Sequence, residues 1–107
     1  MARQRFKTLT EQMFYVLLCL HEECRGMDIL EKVQDMTGGR VNVGSGTLYD
    51  LLELFVSEEM IRETKSEGRR KSYCITEKGL RMLEAENQRL LAQSADYARI
   101  LERGETS

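Results

Sequence analysis

The last third of the chain constrains the fold most. Residues 76–103 hold no proline, as does the whole 107-residue sequence, and their apolar side chains recur at alternating steps of three and four. Leu80, Leu83, Asn87, Leu90, Ser94, Tyr97 and Leu101 form a heptad seam with two polar interruptions. A helix of this length must lay its apolar side on something else to be stable in water. Three short helices and a hairpin offer little surface that far out, so the seam predicts a second copy of the chain. Asn87, at a seam position, is suited to fixing the register or else faces solvent.

Upstream, three shorter segments read as helices. Over residues 10–23, Met13, Val16, Leu17 and Leu20 share one face, and Thr10 is placed to cap the start. Phe14, Tyr15 and Leu18 form a second apolar stripe, as expected of a helix shared with a partner chain. Over residues 27–37, Ile29, Leu30, Val33 and Met36 make the inward side, and Gly38-Gly39 supplies the stop. A third helix runs over residues 45–59 on Leu48, Leu51, Leu52 and Phe55. Residues 61–65 and 71–75 are short strands, and the five-residue link containing Gly68 predicts a hairpin.

Composition narrows the function. One histidine, no Gly-rich phosphate loop and no metal-ligand spacing argue against an enzyme, a resident cofactor or a metal site. A hydrolase lacks a nucleophile–base pair. No apolar run is long enough for a membrane span, and no apolar stretch follows the basic start as in a signal peptide. Cys19, Cys24 and Cys74 form no CxxC pair, which fits small packing residues in a reduced, cytoplasmic setting. His21 reads as a surface residue near a helix end.

The formal net charge of −2 hides a segregation. Residues 1–8 carry Arg3, Arg5 and Lys7 with no acid, and residues 66–75 carry Arg69, Arg70 and Lys71 against Glu67. Between them lies a strongly acidic body. Screening confines each charge to roughly 8 Å, so a local basic patch can bind phosphate on an acidic protein.

Gly44-Ser45-Gly46-Thr47-Leu48-Tyr49, Glu59-Met60-Ile61, Gly68-Arg69-Arg70-Lys71-Ser72-Tyr73 and Ile75-Thr76-Glu77-Lys78-Gly79 resemble, in order and spacing, the PadR-like transcriptional regulators. The match is to the short subfamily with one helix after the wing. The expected fold is mainly α: a winged helix-turn-helix of three helices and a two-stranded β wing over residues 1–75, then a dimerisation helix over residues 76–107. The resemblance implies a homodimer in which the last helix packs on the partner's first helix. It also implies binding to an operator in double-stranded DNA, usually repression, often relieved by a small apolar or aromatic ligand.

The site expectations follow. Ser45, Thr47 and Tyr49, at the start of the third helix, offer hydroxyls and free N–H groups to phosphates or base edges. Arg69, Arg70 and Lys71 at the hairpin tip, with Tyr73 behind them, clamp the backbone or enter the minor groove. Asp50 and Glu53 can accept from a cytosine amino group, but are expected at the edge of the contact surface, where they weaken binding. Phe14, Tyr15, Leu18, Leu83, Leu90, Tyr97 and Leu101 form the dimer interface, either dry or lining a ligand pocket. The acidic third helix keeps an alternative open: an interaction module with weak or no DNA binding.

Overall fold

In the computed structural model, residues 8–102 are described; the basic arm at Arg3, Arg5 and Lys7 and the tail after Glu102 lie outside them. The elements run α1 (Glu11–Cys19), β1 (Cys24–Arg25), α2 (Gly26–Thr37), α3 (Ser45–Ser57), β2 (Ile61–Glu67), β3 (Arg70–Ile75) and α4 (Glu77–Tyr97). A π turn, Ala98–Glu102, continues α4. The three short helices surround one apolar core and the hairpin folds back beside α3.

Local chemistry sets the element ends. The Thr10 hydroxyl accepts from the Met13 N–H and caps α1. The helix stops at Cys19, short of the expected residue 23, because the Leu20 carbonyl turns away to accept from the Ile75 N–H at 2.8 Å. Residues 24–25 then become a strand. The sheet is therefore three-stranded, in the order β1-β3-β2, where sequence alone predicts two strands. Both pairings are antiparallel, and β1 covers the outer edge of β3.

The hairpin is also tighter than expected. Its strands extend to Glu67 and Arg70 and leave only Gly68-Arg69 in the turn, with Gly68 at φ 63°. A bulge lies in β2 between Glu63 and Lys65. The side chain between them, Thr64, has a buried hydroxyl without a partner among the described residues.

Both inner helices end in the same motif. After α2, Gly38 is left-handed at φ 62° and the Gly39 N–H reaches back to the Gln34 carbonyl at 2.9 Å. After α3, Glu59 takes that conformation at φ 61° and the Met60 N–H reaches the Phe55 carbonyl at 2.8 Å. Glu58 and Glu59 thus lie beyond α3, which retains only Asp50 and Glu53 as acids.

The core holds the predicted faces of α1 and α3: Val16, Leu17, Leu20, Leu48, Leu52 and Phe55 are buried. Burying each such side chain contributes about 1.5–3 kcal/mol. Met36 departs from expectation: it is exposed, while Ile29 and Val33 are buried and Leu30 packs half-buried against the core. The first half of α4 belongs to this core too. Gly79 packs so closely that a Cβ there would lie 2.1 Å from the Met60 carbonyl oxygen. Leu83 is buried, and the buried Glu86 carboxylate accepts from the Leu9 N–H at 3.1 Å.

Candidate nucleic-acid interface

The N-terminus of α3 opens on solvent. Gly44 starts the helix without a side-chain cap, and Ser45, Gly46, Thr47 and Tyr49 are exposed. The first N–H groups of such a helix point outward and favour an anion. The 13-residue α3 is anchored through Leu48, Leu52 and Phe55. Its opposite face carries Tyr49, Asp50, Glu53 and Val56, all solvent-exposed.

A groove of about 820 Å³ separates that face from the wing. Leu52, Val56, Met27 and the two tyrosines, Tyr49 and Tyr73, form its apolar side. Arg25, Arg69, Arg70 and Lys71 supply four cations, against two carboxylates, Glu53 and Glu63. Five of the seven residues predicted from sequence thus line one concavity: Tyr49, Arg69, Arg70, Lys71 and Tyr73. Ser45 and Thr47 stand outside the groove, on the first turn of α3.

Pairing within the groove is uneven. Lys71 lies 3.6 Å from Glu63 across the hairpin, and Arg25 lies 3.3 Å from Asp28. Arg69, Arg70 and Glu53 form no ion pair among the described residues. The two tip arginines are therefore ready to neutralise phosphate. Tyr73 is buried and its phenol is pushed above its ordinary pKa, chiefly by that burial, so it stays a neutral hydrogen-bonding group. Gly26 lies against the Tyr73 ring: a Cβ there would sit 3.5 Å from it, an ordinary van der Waals contact.

Sequence reasoning missed Arg25 and Met27. They lie more than 40 positions before the wing tip, and only the pairing of Cys24 with Tyr73 and Arg25 with Ser72 brings them to it. Glu53 lines this groove together with Tyr49.

The residues expected at the dimer interface divide into three groups. Leu83 is buried in the chain's own core. Phe14 and Tyr15 are half-buried, their rings edge-to-face at 5.5 Å, and the Tyr15 hydroxyl accepts from Arg40 at 3.1 Å. Leu18, Leu90, Tyr97 and Leu101 are exposed at 36%, 37%, 66% and 50%. None of these seven lines the groove beside α3. Burial pushes the Cys19 thiol up to about 11 and raises Cys24 as well, which suits packing residues and disfavours reactive thiolates.

Three helices, a hairpin set beside the third, and a helix leading away define a winged helix-turn-helix protein. The chain belongs to the PadR-like family of transcriptional regulators, whose model matches residues 16–85. It is similar to a PadR-like regulator from Bacillus cereus, with 28% identity, a TM-score of 0.69, and coverage of 84% of this chain and 90% of the other. A PadR family regulator from Eggerthella lenta has the same fold at 23% identity and a TM-score of 0.73, over 85% and 81% of the two chains. The transcriptional regulator YqjI of Escherichia coli is 25% identical over 82% of this chain. The chain spans 43% of the length of that relative. Among the described residues no helix is long and apolar enough to cross a membrane.

Proposed function

We propose that this protein is a homodimeric transcriptional regulator that binds an operator in double-stranded DNA. Residues 1–75 supply the DNA-binding domain and residues 76–107 the dimerisation helix, whose first turns also complete the core of the head. The observation that carries this reading is the groove, which Arg69 and Arg70, without an ion pair among the described residues, line together with the exposed wall of α3. With α3 in the major groove, the tip arginines lie beside the phosphate backbone. Ser45 and Thr47 on the first turn add hydroxyls and N–H groups to phosphate or base edges.

The exposed side chains Leu90 and Tyr97 of α4 and Leu101 of the π turn that continues it, with Phe14, Tyr15 and Leu18 of α1, support dimerisation by α4 of one copy on α1 of the other. Repression, relieved by a small apolar or aromatic ligand held between those helices, is the mode of action that fits this arrangement and the family.

Titration of DNA from the chain's own upstream region at several salt concentrations tests the reading. The double variant Arg69→Ala/Arg70→Ala should flatten the salt slope by about 1.8 units, the loss of two phosphate contacts. An unchanged affinity and slope would show that the tip points away from DNA. One observation favours a second reading: α3 carries two acids and no cation. A winged-helix interaction module would bind no duplex even at low salt.

A further inference from the structure

We infer that Glu53 is a specificity-determining residue of this interface and that it selects cytosine in the major groove. The inference rests on the DNA-binding reading above and concerns what that surface reads.

The residue types of α3 leave few choices. Between Ser45 and Ser57 there is no arginine or lysine and no asparagine or glutamine. The bidentate donors that identify guanine and the amide fork that identifies adenine are both missing from this helix. Its hydrogen-bonding heads are hydroxyls and two carboxylates, Asp50 and Glu53. A carboxylate is acceptor-only, and the major-groove edge offers it just two donors, the cytosine and adenine amino groups. Adenine sets the N7 lone pair beside its amino group, which repels the second carboxylate oxygen. Cytosine presents the amino group without a neighbouring acceptor on the same base.

Placement singles out Glu53. It lines the groove with Tyr49 and the wing cations, whereas Asp50 does not. Its side chain is exposed, and it forms no ion pair among the described residues although four cations line the same groove. Lys71 and Arg25 are engaged by Glu63 and Asp28 instead. Among the described residues the carboxylate is left as an acceptor without an ion pair. Against a base without a donor it sits within a Debye length of the phosphates and repels the duplex. Against cytosine the same group gains a charge-assisted hydrogen bond. Attraction to one base and repulsion from the others together make specificity.

Selection of bound duplexes from a randomised library, for the wild type and for Glu53→Ala and Glu53→Gln, tests this. The wild type should enrich cytosine at a fixed position of each half-site. Glu53→Ala should lose that enrichment, keep the preferences elsewhere, and bind random duplex at least as tightly. Glu53→Gln should move the preference at that position to adenine. Replacing that cytosine by 2-pyrimidinone, which lacks the amino group, should weaken the wild type about tenfold and leave Glu53→Ala unaffected. Identical selected sequences for the wild type and both variants, each with unchanged circular dichroism and melting, would overturn the assignment of Glu53 alone. A wild type that binds no duplex at low salt would overturn the DNA-binding reading and this inference with it.

Discussion

The two halves of α4 share one heptad pattern and meet different fates. In the first half, Gly79, Leu83 and Glu86 are buried against the head. From Asn87 onward no residue of the helix is buried, and Leu90, Leu91 and Tyr97 stand in solvent. Periodicity therefore reports that a helix has an apolar side; it does not report who covers it. Where α1 and the α3–β2 junction are in reach, the chain covers itself. Beyond them, the same pattern is left uncovered by the chain's own core.

The largest break in this comparison comes from Gly79. A Cβ at that position would meet the Met60 carbonyl oxygen at 2.1 Å and Ile75 Cγ1 at 2.8 Å, and a backbone oxygen cannot swing aside. Gly79→Ala should lower stability by about 3 kcal/mol or more, read as a fall in the urea midpoint. A variant with unchanged midpoint would mean that α4 is not seated on the head. In the distal half, Leu90→Asp should leave the head folded and shift sedimentation from dimer to monomer. A dimeric Leu90→Asp protein with unchanged melting would remove Leu90 from the interface.

A finer test falls at the joint between the halves. The Glu86 carboxyl is held below its ordinary pKa, most of all by the hydrogen bond from Arg89, with the Leu9 N–H assisting and burial opposing. Its stabilising contribution is complete above the ordinary carboxylate range and is lost as pH falls through the lowered folded value. Glu86→Gln should reduce the loss of stability on acidification, with little change in how α4 associates. An acid limb identical to the wild type would show that other carboxylates govern it. The smallest effect concerns Glu59. A non-glycine residue at φ 61° is mildly strained, so Glu59→Gly should be near neutral or raise stability by up to about 1 kcal/mol. A marked loss would show that the Glu59 side chain holds the α3–β2 junction.

Much of the head is legible in the sequence because its signals are local. Thr10 caps a helix, Gly38 ends one, and the three-four spacing of Leu48, Leu51, Leu52 and Phe55 marks the face of α3. The wing cations and Tyr49 are legible for the same reason, as residues of short contiguous motifs. What escaped depends on partners far along the chain. The two-residue β1 is too short to show a period and exists because β3 pairs with it. Arg25 reaches the groove only through that pairing. Met36 follows the apolar spacing of α2 yet emerges beyond the neighbours that cover Ile29 and Val33. Glu86 reads as one surface charge among many until Leu9, 77 positions earlier, is found donating to it.

That contact between Leu9 and Glu86 has a mechanical consequence. It fastens α4 to the head close to the helix midpoint, so the remaining length acts as a cantilever. From Glu86 to Glu102 the arm measures about 24 Å at the rise of an α-helix. Rotating it by 10° about the clasp carries the tip through about 4 Å, while atoms beside the fulcrum hardly move. A force applied at the far end would therefore act with leverage on the start of α1, through the Leu9–Glu86 hydrogen bond.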